Sequence, residues 1–287
     1  MNLSKSVLLS LALLILAPAT TSADNHPAPA EESAIQTLDQ QTTPSAYALP
    51  TTGSITAAQL ADGVWLRPQL NETSITLMLD NLQQWQIANV YVDVFRSGET
   101  LFPSALFPQR PDALERDWLA YIIQESHHRN IRVHAWLQTL SWAEPGPLQH
   151  STTSILQLHP EWADYSREGN QFDGKSLARF VNPAVPEVAS RLTSLTLELC
   201  RYPIDGINLD AVQYNHRADM GYHPDALEQF QQESGVDPRT IQKHMARDTD
   251  WMRWTIFRED KLTSLVQAIS STCQEIGTHQ QRRIALS

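Results

Sequence analysis

The chain has 287 residues, with 32 acidic against 21 basic side chains and a formal net charge of −11 at pH 7. That excess of negative charge excludes nucleic acid and anionic membrane surfaces as partners. Two cysteines, Cys200 and Cys273, are too few and too far apart for a zinc site. An oxidising compartment permits a disulfide between them, but only if their geometry allows it.

At the N-terminus, Lys5 precedes an apolar run over residues 7–17, followed by Pro18 and the small residues Thr21, Ser22 and Ala23. This is the pattern of a secretory signal peptide over residues 1–23, and the run is too short to span a bilayer. No cysteine follows it, so no stable membrane anchor is expected, and the mature protein is expected to be exported and periplasmic. Residues 24–57, rich in Ala, Pro, Thr, Gln and Ser, read as a disordered linker. The folded domain is expected over residues 58–287.

From there strands alternate with helices. Residues 63–67 form a short strand. Residues 73–86 carry helical spacing in Ile75, Leu79, Leu82 and Trp85, with Asn71 or Thr73 as N-cap. Residues 89–95 alternate again, residues 111–129 form a helix with Leu114, Trp118, Tyr121 and Ile122 along one stripe, and residues 131–140 form a third strand. A long insertion occupies residues 141–183, the kind of connection that is more often a functional loop than a spacer. A helix over 184–201 leads into the fourth strand, which ends at Asp210. Helices follow over 224–233 and 251–275, and residues 283–287 open a fifth strand.

Alternation of this kind predicts an α/β fold with a parallel sheet. No Gly-rich phosphate loop follows the first strand, which disfavours a doubly wound dinucleotide fold. With Val64, Leu66, Val90, Val92, Val94, Ile131, Val133, Ala135, Ile207 and Leu209 facing the helices, the other face collects Trp65, Arg67, Tyr91, Asp93, Phe95, Arg132, His134, Trp136, Gln138, Asn208 and Asp210. Polar and aromatic groups converging at strand C-termini suit a sugar and a (β/α)8 barrel. Only about five of the eight strands are found. The chain is therefore expected to be the N-terminal part of a longer barrel protein.

Asp210 at the end of its strand is the candidate catalytic carboxylate, while Asp205, at the strand's entrance, reads as structural. Glycoside hydrolysis usually needs a second carboxyl group. Glu99, Glu144, Glu161, Asp164 and Glu168 lie on the right loops, yet none has so clear a strand-end setting. The partner is expected either there or beyond Ser287. His134 and Trp136 are expected to bond and stack a sugar, and Arg96 and Ser104, after the second strand, to bind hydroxyls or a carboxylate. A metal set of Asp210, His134 and His216 is the weaker alternative, and no HExxH spacing or nucleophile elbow is present. No cofactor is expected.

The motifs Asp62-Gly63-Val64-Trp65-Leu66, VDVFRSG (residues 92–98), Phe102-Pro103-Ser104, His134-Ala135-Trp136, His159-Pro160-Glu161-Trp162, NPAVPEV (residues 182–188) and residues 204–210 occur in one order. In that order they resemble the glycosyl hydrolase-like 10 family. The resemblance implies an exported TIM-barrel glycosidase of peptidoglycan glycan strands stripped of their stem peptides. It places Asp210 as a catalytic carboxylate, with Arg96, His134, Trp136 and Asn182 lining the glycan groove; Ser104, Asn208 and Tyr214 are also expected to bind substrate. Three features depart from the family pattern: Asp62 replaces a basic residue, Ala211 and Asn215 replace the second Asp and the Pro of a Tyr-Pro pair, and the family barrel continues beyond Ser287. A chitinase-like motif is also echoed at Asp205, Gly206 and Asp210, but Val212 stands where that chemistry needs a Glu. A glycan-binding protein without catalysis is the alternative function.

Overall fold

The computed structural model describes residues 63–143, 155–171, 179–215, 219–242 and 249–287, all within one compact unit, Ala48–Ser287. The signal peptide and linker expected over residues 1–57 lie outside the described residues.

Five strands build a parallel sheet in the order β1 (Gly63–Leu66), β2 (Asn89–Arg96), β4 (Arg132–Gln138), β7 (Gly206–Asp210) and β8 (Ala285–Leu286). Each new strand adds beside the one before it, so every crossover turns the same way. Right-handed crossovers of that kind place their helices on one face of the sheet. A doubly wound sheet would reverse direction at a switch point, and among the described strands no reversal occurs. Among the described residues β1 and β8 are the two ends of the sheet. A short strand β3 (Glu99–Thr100) folds back on β2 through Ser97 and Gly98, both at positive φ (55° and 76°). Two such residues make a type I′ hairpin turn, which matches the right-handed strand twist.

The helices form where the apolar spacing placed them. Helix α1 (Glu72–Gln84) buries Ile75, Leu79 and Leu82, and of the two candidate caps it is Asn71 that accepts the Ser74 amide, at 2.8 Å. Full burial of each such side chain stabilises by about 1.5–3 kcal/mol. The single helix expected over 111–129 is instead a 3-10 turn, Pro111–Ala113, and then α2 (Trp118–His127), capped by Asp117 on the Ala120 amide. Leu114 falls in the break and is 65% exposed. The insertion carries α3 (Ile155–Leu158) and a small antiparallel pair, β5 (Ser141–Ala143) with β6 (Arg179–Phe180). Helix α4 (Pro186–Cys200) packs along α6 (Thr249–His279), with α5 (Pro224–Ser234) between them in sequence. Cys200 and Cys273 are buried side by side in that α4–α6 packing as free thiols, close enough to share a hydrogen bond. The hydrogen bond with Cys273, and then burial, push the Cys200 thiol upward.

The helix-facing side of the sheet is the apolar core, with Val90, Val92, Val133, Ala135, Leu137 and Ile207 fully buried. One strand breaks the expected alternation. A bulge between Asp93 and Phe95 pairs Phe95 with Leu137 rather than with Gln138. Phe95 therefore joins the core, ring-to-ring with Phe107 (4.8 Å) and Trp142 (5.9 Å), and does not line the polar face. The same bulge carries Arg96 across to the side of Asp93.

Candidate active site

The polar face of the sheet rises in layers set by the strand register. Tyr91, His134 and Gly206 are cross-strand neighbours, as are Asp93, Trp136 and Asn208 one step up, and Gln138 and Asp210 at the top. In the lower layer Trp65, Tyr91 and His134 stack successively, each pair 4.8 Å apart. His134 Nε2 lies 3.2 Å from Asn89 Oδ1. Burial pushes the His134 imidazole below its ordinary range, Asp205 opposing and Arg132 adding to that shift. Its Nδ1 is buried without a hydrogen-bond partner among the described residues, against Gly206, where an added Cβ would come within 2.4 Å of that nitrogen.

The upper layers hold the candidate catalytic carboxylate. Asp210 is exposed at the C-terminal end of β7. Its Oδ2 accepts from Trp136 Nε1 at 3.1 Å and its Oδ1 from the Ala211 amide at 2.7 Å. Ala211 adopts φ +54°, a left-handed conformation unusual for a residue with a Cβ, and this turn brings its amide back onto the carboxylate. Behind Asp210, the Arg67 guanidinium lies over the Trp136 ring at 4.8 Å and donates through Nε to Asp93 Oδ2 at 2.8 Å. Arg96 Nε reaches the same oxygen at 3.6 Å. The Asp93 side chain is wholly buried. Burial raises its carboxyl above the usual range, against the pull of Arg96, Arg67 and Arg110. Asn208 accepts from Trp65 Nε1 (3.3 Å) and donates to Ser287 Oγ (3.0 Å). The result is a carboxylate with both oxygens oriented, on a floor of indole and guanidinium. Such a surface can present a base or nucleophile to a sugar ring stacked on its aromatic faces.

Of the residues expected at the site, Asp210, Trp136, Arg96 and Asn208 share this face. His134 shares the face but sits in the layer beneath. At about 3.3 Å per residue, its layer lies about 13 Å down the strand from Asp210. Ser104 is engaged elsewhere, bonding Glu198 Oε2 (2.6 Å) in the last turn of α4, the end from which the chain enters β7 at its foot. Asn182 is fully buried, donating to Asp164 Oδ1 (2.7 Å) and accepting the Ala184 amide (2.8 Å). Tyr214 belongs to the same second cluster. Its phenol is pushed up by burial and by Asp164, and its ring lies beneath Arg258.

Asp164 anchors that cluster and is itself fully buried, its carboxyl raised to about 7 by burial against Asn182, the amides of Tyr165 and Gly221, and Arg258. Its Oδ2 has no well-formed hydrogen bond among the described residues, the two amides lying near enough only to soften the cost. Of the other loop carboxylates, Glu161 pairs with His159 at 2.9 Å and Glu168 accepts from Ser166 at 2.9 Å. Glu144 and His216 lie outside the described residues. Asp205 is structural as expected, accepting the Val133 amide (2.8 Å) with His127 Nε2 at 2.9 Å from the same oxygen. Among the described residues no three His, Cys, Asp or Glu side chains form a metal cage. Two residues placed on the inner face by the strand pattern but given no role, Arg67 and Asp93, form an ion pair on it. The signal was an acidic and a basic residue at matching heights of adjacent inner strands.

Residues 55–279 match the model of a family described as glycosyl hydrolase-like 10. Glycosyl hydrolase DigH of Escherichia coli strain K12 is 24% identical over 228 residues, covering 73% of this chain and 46% of DigH. Glycosyl hydrolase YngK of Bacillus subtilis strain 168 is 26% identical over 208 residues, covering 68% of this chain and 36% of YngK. The chain thus spans less than half the length of either relative. Among solved structures, a β-galactosidase from the psychrophile Marinomonas ef1 superposes with a TM-score of 0.56 at 15% identity, over 78% of this chain and 36% of that one. An α-L-fucosidase isoenzyme 2 from Paenibacillus thiaminolyticus gives 0.51 at 15% identity, over 79% and 32%. These likenesses show a mostly parallel α/β fold of the TIM-barrel-like type found in glycosidases. With a family match that runs through most of its length, this chain belongs to the glycosyl hydrolase-like 10 family.

Proposed function

We propose that the protein is an exported, periplasmic glycoside hydrolase acting on an amino-sugar polymer, most simply peptidoglycan glycan, with Asp210 as nucleophile or base. The five parallel strands then occupy consecutive positions of a (β/α)8 barrel. The observation that carries the reading is Asp210 itself: exposed, at a strand C-terminus, with both oxygens held and an indole beside it. That is the position from which barrel enzymes act. Asp210 would attack the anomeric carbon, or take a proton from the attacking water, as an oxocarbenium-like charge develops, the bond to the leaving oxygen breaks and that oxygen takes a proton from a second acid. Export rests on Lys5 and the apolar run of residues 7–17. Among the described residues no helix is long and apolar enough to cross a membrane. The test is release of reducing ends from peptide-free glycan strands by the protein and by Asp210→Asn. Loss of turnover in the variant supports the assignment, and equal turnover ends it.

One observation favours a second reading, a glycan-binding protein without catalysis. The other carboxylate on this face, Asp93, is wholly buried and ion-paired. A protein of that kind would bind glycan equally well with Asp210→Asn and release no product.

A further inference from the structure

Arg67 follows the last residue of β1, and its side chain is 49% exposed. Two contacts fix its guanidinium plane. Nε donates to the buried Asp93 carboxylate, and the guanidinium carbon lies over the Trp136 ring, 4.8 Å from its centroid. Among the described residues the Nε–H bond is the one hydrogen bond Arg67 makes, so the edge formed by Nη1 and Nη2 remains available as a bidentate donor. Trp136 in turn holds Asp210. A pre-oriented guanidinium edge therefore stands one indole away from the candidate catalytic carboxylate. An arginine serving only to cover Trp136 would not need this arrangement, because a lysine stem or an aliphatic side chain covers an indole as well.

We propose that Arg67 is a substrate-specificity residue that binds a carboxylate carried by the sugar next to the cleaved bond. This rests on the glycosidase reading given above. The guanidinium fork matches a carboxylate in two parallel hydrogen bonds, and its loss of freedom on binding is small because Asp93 and Trp136 already hold it. The substrate class is an acidic amino-sugar glycan. In peptidoglycan glycan the lactyl ether of muramic acid supplies such a carboxylate when no peptide is attached, whereas an attached peptide converts it to an amide. Arg67 would thus favour peptide-free strands.

The experiment compares peptide-free glycan strands with the same strands whose carboxylates have been reduced to alcohols. The readout is the ratio of kcat/KM on the two substrates, for the protein and for Arg67→Gln. A ratio of about ten is expected for the protein, the worth of one charge-assisted pair, falling to near one in Arg67→Gln. A ratio near one in the protein, or an unchanged ratio in the variant, overturns the proposal. If Arg67→Gln does not fold, Arg67→Lys keeps the charge beside Asp93 and removes the fork, and its ratio is expected to fall as well; an unchanged ratio there overturns the proposal. Binding of N-acetylmuramic acid and N-acetylglucosamine, followed by NMR, separates the two claims. A preference for the carboxylate sugar that disappears in Arg67→Gln, with no glycan cleaved, leaves Arg67 assigned and the glycosidase reading refuted. Equal affinity for the two sugars refutes the assignment of Arg67.

Discussion

Asp164 makes stability depend on pH in a direction opposite to that of most surface carboxylates. Burial raises its carboxyl from 3.8 to about 7. The folded state therefore holds a proton that the unfolded state has released throughout that window. Stability from this group is fully present below pH 3.8 and is lost as pH rises through about 7. At about 1.36 kcal/mol per pH unit, the part of the window between pH 5 and 7 amounts to roughly 2–3 kcal/mol. Asp164→Asn keeps the acceptor that Asn182 uses and removes the titration. Urea unfolding at pH 5 and pH 8 should show the unsubstituted protein losing stability at the higher pH by about that amount relative to Asp164→Asn. Parallel pH profiles for the two proteins would refute the reasoning and mean that Asp164 ionises in place without cost.

Gly206→Ala places a Cβ 2.4 Å from His134 Nδ1 and 2.7 Å from the Ala285 carbonyl oxygen. One obstacle is a buried ring and the other is backbone, so a loss of about 1–3 kcal/mol is expected in urea unfolding; a change under about 0.5 kcal/mol would contradict the packing described. Unfolded in urea and refolded with oxidised glutathione, Cys200 and Cys273 should pair by two successive exchanges. One protein disulfide forms, two hydrogens leave the protein, and the glutathione disulfide departs as two thiols. Mass spectrometry should then find a protein lighter by two hydrogens and unreactive to maleimide after unfolding. Two free thiols, or a persistent mixed disulfide, would contradict the adjacency of the pair.

The order and type of the main elements were legible because each signal was local. Period-two alternation marked β2, β4 and β7, and helical spacing over Ile75, Leu79 and Leu82 marked α1. The polar face was legible for the same reason, and with it the meeting of Trp136 with Asp210. What escaped was decided between strands. The bulge at Asp93–Phe95 sends Phe95 into the core and brings Arg96 to Asp93, and nothing within residues 89–96 marks where the register with β4 slips. Ser104 and Asn182 sit in motifs that resemble a binding groove, yet their partners are Glu198 and Asp164, contacts across 94 and 18 residues of chain that spacing does not reveal. Asp93 looked like one of several inner polar groups until its burial and its two guanidinium neighbours were in view.

The central claim is that Asp210 carries glycosidic bond cleavage on this sheet face. The most direct measurement is the rate of reducing-end release from peptide-free glycan strands by the protein and by Asp210→Asn, with glycan binding followed in parallel. Removing a nucleophile or base should lower the rate by a factor on the order of 100 or more while glycan binding persists. Equal rates in the two proteins, or binding with no product from either, would contradict the account.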